Sequence, residues 1–400
     1  MPWKQMEVRE QRVEFVVRAR GGIEPLGRLC REFSVSRPTG YRWLKRYREG
    51  GVEAIAERSR RPHSSPTRTA PETEARILGL RQRYPDWGAR KLSVLLGRQG
   101  IEVPSSTVHR VLLRQGLVRE RDRHRPAAGR FERERPNELW QMDFKGPKGW
   151  PASCTALSVI DDHSRYLVGL RATARPDGEL VRRHLERAFE ECGLPEAMLM
   201  DHGVPWWNWQ SYGGSTKLSL WLMRQGIRLH FAGIRHPQTQ GKVERFHGSL
   251  ERALQYRGVP AEGHQQWLDD YRREHNHIRP HEALGMQTPA SRWQPSPRPY
   301  RPNLPSWEYP DGAWTLKVDN RGTISIQGQP YRVSKSLAGE RVRLELIEDR
   351  CLVYFCNTLV RELHPAMKRS TIVDRFIAEP GPSPICNGSL ETICNASPGT

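Results

Sequence analysis

The chain has 400 residues, 36% hydrophobic and 27% charged, with 64 Lys and Arg against 45 Asp and Glu for a net charge of +19. That length exceeds one ordinary hydrophobic core and implies roughly two to four domains, while no apolar run approaches the roughly 20 residues of a membrane helix, so no membrane partner is expected. Residues 1–130 hold 29 Lys and Arg against 14 Asp and Glu, and charge placed so unevenly implies a polyanionic partner, nucleic acid foremost.

Residues 5–19 set apolar side chains at helical spacing and stop at Gly21-Gly22. Residues 25–33 predict a second short helix. Ser34-Val35-Ser36 then serves as turn and N-cap for a third over 37–48, ended by Gly50-Gly51. On that helix Trp43, Leu44 and Tyr47 can face inward while Arg37, Arg42, Lys45 and Arg46 face out. A DNA recognition helix needs that division, with donors toward phosphates and base edges. Residues 1–57 are therefore expected to form a helix-turn-helix DNA-binding domain. Residues 58–71, rich in Pro, Ser and Arg, read as a basic linker. Helical patterns over 72–84, 88–99 and 106–115 make 72–118 a second helix-turn-helix domain, with Arg110 and Arg114 its outward donors.

Residues 119–135 form a charged connector. Three strands are predicted at 139–144, 156–161 and 166–172, then a helix at 179–192, a strand at 197–200, a helix at 216–225, a strand at 227–231, and helices at 241–255 and 266–277. This order fits a mixed sheet with helices on its faces, a core spanning 136–293. A Pro-rich stretch at 294–310 reads as a stiff linker. Short β-rich runs over 311–364 predict a small, SH3-like barrel, and 365–400 a disordered tail. The seven cysteines are scattered without CxxC spacing, so reduced, buried thiols are expected rather than a zinc site. The amino terminus lacks a secretion signal, and cytoplasmic residence beside the nucleoid is the expectation.

Three acids fall at telling places in this pattern. Asp143 closes Leu139-Trp140-Gln141-Met142-Asp143, Asp201 closes Ala197-Met198-Leu199-Met200-Asp201, and Glu244 sits where a helix begins. Carboxylates gathered in one cleft repel one another, and hard divalent cations with oxygen ligands relieve that repulsion. Two such ions can activate a hydroxyl and stabilise the leaving oxygen of a phosphodiester. Asp161 and Asp162 compete for such a role but read as a turn ordering Ser164 and Arg165. Trp206, Trp207 and Trp209 read as packing ahead of base stacking, and His275, His277 and His281 as a cap on the core.

These acids, with His236-Pro-Gln-Thr-Gln-Gly-Lys-Val-Glu-Arg-Phe-His-Gly248, resemble the catalytic core of DDE transposases and retroviral integrases, and in particular bacterial insertion-sequence transposases of the integrase-core type. The resemblance covers about 136–293. It implies a multidomain, mainly α/β chain with an RNase H-like core, in which Asp143, Asp201 and Glu244 hold two Mg2+ ions (or Mn2+ in their place). It implies a transposase that binds transposon ends, frees 3′-hydroxyls by hydrolysis and joins them to target DNA, acting as a homo-oligomer on double-stranded DNA. Gln240, Lys242, Arg245 and His247 are then expected to point toward that DNA. The chain departs from the family's Asp-Asn-Gly at the second carboxylate, with His202 in place of Asn. Two rival readings stay open on the sequence: a DNA-binding regulator with a vestigial core, and an RNase H-like nuclease.

Overall fold

A computed structural model describes residues 8–56, 69–118, 132–146, 155–208, 214–232, 240–258, 260–304 and 307–373. The chain divides into two compact units, Met1–Arg68 and Thr69–Thr400. Most of the expected basic linker and connector lies outside the described residues, as do 374–400 of the expected tail.

The first unit is built on helices α1 (Val8–Gly21), α2 (Leu26–Glu32) and α3 (Arg37–Gly50). Ser36 is the N-cap of α3 and Gly51, at φ 63°, ends it, as the sequence predicts. Phe15, Val16, Leu29, Cys30 and Ile55 form the core, with Trp43, Leu44 and Tyr47 half-buried against it. Gly40 lets α3 pack this closely: a Cβ there would meet Cys30 Sγ at 2.8 Å and Phe15 Cζ at 2.9 Å. Arg18 on α1 ties the bundle by pairing with Glu24 at 2.8 Å and Glu32 at 2.6 Å.

The second unit opens with α4 (Pro71–Arg83), α5 (Ala89–Arg98) and α6 (Ser105–Arg114), whose apolar stripes bury Ile77, Leu92, Leu96, Val108, Val111 and Leu112 around Trp87. The core follows as β1 (Trp140–Lys145), β2 (Thr155–Asp161), β3 (Leu167–Thr173), α7 (Gly178–Cys192), β4 (Ala197–Met200), a short hairpin of β5 (Trp207–Asn208) and β6 (Gly214–Ser215), α8 (Lys217–Arg224), β7 (Arg228–Phe231), α9 (Gly241–Arg257) and α10 (His264–His277). Its sheet order is β3-β2-β1-β4-β7. The pairs β1–β2 and β2–β3 are antiparallel, and β1–β4 and β4–β7 parallel. Alternation sorts the strands onto two faces. Trp140, Met142, Leu157, Val159, Met198 and Met200 face α7 and α8, while Ala156, Ile160, Leu167 and Leu170 face α9 and α10.

Asp86, at the turn between α4 and α5, fastens the helical module to this core. Its buried carboxylate accepts from Arg257 Nε at 2.9 Å, Arg257 Nη2 at 2.6 Å and Arg279 Nη1 at 3.0 Å, and Arg257 also pairs with Glu274.

The expected Pro-rich linker is not a free spacer. Arg298 donates to the carbonyls of Pro195 at 2.6 Å, Gln225 at 3.0 Å and Gly226 at 3.1 Å, and Ser296 N–H to Cys192 O at 2.8 Å. Gly193, at φ 75°, permits that seat, because a Cβ would come within 2.7 Å of Ser296 O. Beyond it lie β8 (Thr315–Lys317), β9 (Thr323–Ile326), β10 (Gln329–Arg332), β11 (Arg341–Ile347), β12 (Arg350–Phe355), β13 (Thr358–His364) and β14 (Arg369–Ile372). They form an open antiparallel sheet, β14-β13-β12-β11-β8, and a separate β9–β10 hairpin. No strand pairing among the described residues closes the expected barrel, and β14 extends the sheet into the predicted tail. This sheet shares its hydrophobic core with the α7/α8 face.

Candidate active site

Strand parity and register bring two of the three acids together. Parallel pairing sets Gln141 beside Leu199, so two residues further on Asp201 follows Leu199 as Asp143 follows Gln141. Both then fall on the face turned toward α9, where Gln141 Oε1 accepts from Val243 N–H at 3.3 Å. Neighbouring strands lie about 4.8 Å apart. Glu244 follows Val243 in the first turn of α9, exposed to solvent.

The electrostatics agree with that placement. Burial, then the Asp201 carboxylate, push Asp143 up to about 7 against the pull of its hydrogen bond from Phe144 N–H, and Glu244 adds to the rise. Glu244 itself is raised by burial and eased by Lys145. Among the described residues no set of three or more His, Cys, Asp and Glu side chains stands ready to clasp an ion.

Each acid is held by its own loop or strand. Asp143 Oδ1 accepts from Phe144 N–H at 2.8 Å. Asp201 Oδ1 accepts from Gly203 N–H at 3.0 Å and from Trp206 Nε1 at 2.8 Å. The loop folds so closely over this carboxylate that a Cβ at Gly203 would sit 2.9 Å from both of its oxygens. Trp206 is 1% exposed and stacks on Phe144 at 5.1 Å, which joins the loop after β4 to the end of β1. The sequence alone reads this tryptophan as packing; its indole is also the donor that orients Asp201, and its place five residues past an acid is the only signal for it. Trp207 is buried too, against His202 and Phe231, whereas Trp209 lies outside the described residues.

Three of the residues expected to meet DNA are turned inward instead. Gln240, Val243, His247 and Leu250 recur on the buried stripe of α9, so helical phase removes Gln240 and His247 from the outer face. His247 Nε2 bonds Ser158 Oγ at 3.1 Å and its Nδ1 lies 3.7 Å from Asp143 Oδ2. Burial, then Lys145, depress His247 to about 4, so at neutral pH an uncharged imidazole backs Asp143. Lys242 is engaged by the fully buried Asp162, whose Oδ1 also accepts from Gln141 Nε2 at 2.8 Å and Oδ2 from Arg133 N–H at 2.8 Å. Asp162 therefore anchors the start of α9. Asp161 takes the turn role, accepting from Ser164 N–H at 2.8 Å and Ser164 Oγ at 2.6 Å.

The other expected contacts remain outward. Arg245 and Arg110 are exposed. Arg114 is exposed as well, although its guanidinium pairs with Glu74. In the first unit Arg37, Arg42 and Lys45 are exposed, Lys45 lies 3.8 Å from Glu49, and Arg46 stacks on Trp43 at 4.9 Å. Of the histidines expected to cap the core, His275 at the end of α10 is buried and bonds Arg165 O at 3.1 Å, beside Asn276, which exchanges bonds with Leu167 N–H and C=O at 2.8 and 3.0 Å, while His277 is exposed.

Integrase core domain models match residues 133–237 and 225–289. A helix-turn-helix domain model matches 11–63 and a homeodomain-like domain model 39–112. The transposase for insertion sequence element IS3411 of Escherichia coli is 29% identical over 159 residues, 36% of this chain and 66% of that one. The chain belongs to the integrase-core family of insertion-element transposases. Another relative, the insertion element IS407 uncharacterized 31.7 kDa protein of Burkholderia multivorans, is 27% identical over 227 residues, covering 54% of this chain and 78% of its own. A chain of the simian T-cell lymphotropic virus intasome, solved with the PP2A regulatory subunit B56 gamma, is 16% identical with a TM-score of 0.37 over 72% of this chain and 99% of that one. The helix-turn-helix and integrase core matches mark a DNA-binding enzyme of the polynucleotidyl-transfer class.

Proposed function

We propose that this chain is a DNA transposase that cuts at the ends of a mobile element and joins the freed 3′-hydroxyls to target DNA, working as a homo-oligomer on paired ends. One pattern supports the reading: the parallel register of Gln141 with Leu199 carries Asp143 and Asp201 forward in step, Glu244 opens the helix packed on that face, and after burial both Asp201 and Glu244 raise the proton affinity of Asp143. Asp143 is raised first by burial and then by two neighbouring carboxylates, so the cleft favours added positive charge, and the donors it offers are carboxylate oxygens. Such a set fits Mg2+ or Mn2+ rather than a soft metal.

Asp143, Asp201 and Glu244 would hold two such ions. Bound there, the ions would supply Lewis acidity, activating the attacking hydroxyl and stabilising the leaving 3′-oxygen. The chain's own groups prepare the site. Trp206 and Gly203 fix the angle of the Asp201 carboxylate. Gln141, Asp162 and Lys242 clamp the first turn of α9 and so set where Glu244 stands. Neutral His247 fills the space behind Asp143 without contributing a competing positive charge. Arg245, exposed beside Glu244, and Arg37, Arg42, Lys45, Arg46 and Arg110 on the helical modules supply phosphate and base contacts.

The test incubates purified chain with its element's ends, a target plasmid and Mg2+, and maps the joined products. Wild type is expected to nick at the ends and join them, and Asp143→Asn, Asp201→Asn and Glu244→Gln to bind the ends without cutting. Strand transfer by Asp143→Asn at the wild-type rate would overturn the assignment. Binding of ends by wild type with no cutting in Mg2+ or Mn2+ would favour the regulator reading.

A further inference from the structure

The second helical module and the core enclose a cleft of about 520 Å³ on the flank of α9. Arg90 and Lys91 of α5, Ser105, Ser106 and His109 of α6, and Arg252 of α9 line it. Two acids also border it, and both favour the charged form of Lys91, though less than burial and Arg279 oppose it. Asp86 is taken up by Arg257 and Arg279. Glu282 lies 3.7 Å from Arg90, with both side chains more than half exposed, a pairing that solvent and salt largely screen.

Lys91 is the residue that asks for a ligand. Among the described residues its ammonium makes no hydrogen bond or ion pair. Burial, then Arg279, hold its ammonium down to about 7, and Arg252 adds to the depression. An anion in the cleft would reverse that penalty. Around Lys91, α5 and α6 both begin without a side-chain cap, so first-turn amides contribute donors to the same space.

The cleft also stands in register with the candidate active site. Arg252 lies eight residues beyond Glu244 on α9, about 12 Å along the helix axis, or between three and four base steps at roughly 3.4 Å each. Arg110, exposed on α6 beside His109, continues the basic surface outward.

We propose that this cleft seats backbone phosphates of the DNA duplex whose end is presented to Asp143, Asp201 and Glu244, with Arg90, Lys91 and Arg252 as the charged donors. This rests on the reading of the chain as a DNA-processing enzyme, but its test needs no catalysis. Full-length chain is titrated in EDTA against a fluorescent duplex of arbitrary sequence across a range of salt. One variant carries Arg90→Gln, Lys91→Gln and Arg252→Gln. A control carries Arg273→Gln, Arg321→Gln and Arg350→Gln, the same charge removed from exposed sites elsewhere.

Each phosphate that is no longer neutralised lowers the slope of log K against log salt by about 0.9. The cleft variant is therefore expected to lose roughly two to three units of slope and at least about tenfold in affinity, and the control little of either. An equal loss in both variants, or an unchanged slope in the cleft variant with its melting temperature preserved, overturns the proposal. So does saturable binding of inorganic phosphate that the cleft variant loses while keeping wild-type duplex binding, which would mark a free-anion site. If wild type binds duplex through the cleft yet never cuts element ends, the catalytic reading fails and this one stands.

Discussion

Replacing Asp86 by Ala should undock the second helical module from the core. The carboxylate is fully buried and accepts three hydrogen bonds, two from Arg257 and one from Arg279. Its loss falls unequally on the two partners. Arg257 keeps Glu274, with oxygens at 2.8 and 2.6 Å. Among the described residues the guanidinium of Arg279, 2% exposed, keeps only the face of Trp87, 5.5 Å from its ring centroid. Leaving one buried guanidinium uncompensated costs about 3–5 kcal/mol. That cost raises the open population of the docked module by roughly a hundredfold to a few thousandfold, at about 1.4 kcal/mol per factor of ten. A single unfolding free energy is ill defined for a multidomain chain, so the measurement is native-state hydrogen exchange of the amides of α5 and α6. Asp86→Ala should accelerate them by that factor, and Asp86→Ala with Arg279→Met should return most of it, because the double variant buries no lone charge. Exchange within threefold of wild type in Asp86→Ala, or a double variant as fast as the single, would refute the reasoning.

Further outcomes follow from the site. Trp206→Phe keeps the stack on Phe144 but deletes the 2.8 Å donor to Asp201; a hydrogen bond to a charged group is worth about 1.5–3 kcal/mol, so cleavage at limiting Mg2+ should fall roughly tenfold to a hundredfold and recover as Mg2+ is raised. Lys242→Met strips the cation from buried Asp162 and should loosen the first turn of α9 by about 3 kcal/mol or more, read as faster hydrogen exchange at residues 242–246. Acid should weaken the fold below pH 6.5. Burial, then Arg279, depress His275 to about 3, so the unfolded chain takes up its proton first, and stability present above pH 6.5 is lost as pH falls toward 3, at up to about 1.4 kcal/mol per pH unit. Melting temperatures from pH 7 to 5 should decline less steeply in His275→Gln.

The apolar runs at 139–144 and 197–200 were enough to place Asp143 and Asp201 on or just past neighbouring strands, although β1 runs on to Lys145 and so holds Asp143 inside it rather than at its end; parity then decides which face a strand residue takes. Ser36 and Gly51 marked helix ends through cap and left-handed geometry that few other residues adopt. Inward orientation on α9 was harder to read. Gln240, Lys242 and His247 are polar, and polarity suggested solvent; the partners of Lys242 and His247, Asp162, Ser158 and Asp143, come from strands β1 and β2 or the turn after them, some 80 to 100 residues away, and no local pattern announces a pairing of that range. The docking of Arg298 and the pairing of β13 with β14 were hidden for the same reason. Both depend on distant carbonyls and edges, whereas Pro and polar residues locally signal only an absence of helix.

Diffraction from crystals soaked in Mn2+, with the ion located by its anomalous signal, tests the central claim most directly. The account predicts density bound by carboxylate oxygens of Asp143 and Asp201, at roughly the 2.1 Å of a hard hexacoordinate ion, with Glu244 drawn in to complete the set and no such density in Asp143→Asn. Manganese bound elsewhere, with these three side chains left unligated at saturating Mn2+, would contradict it.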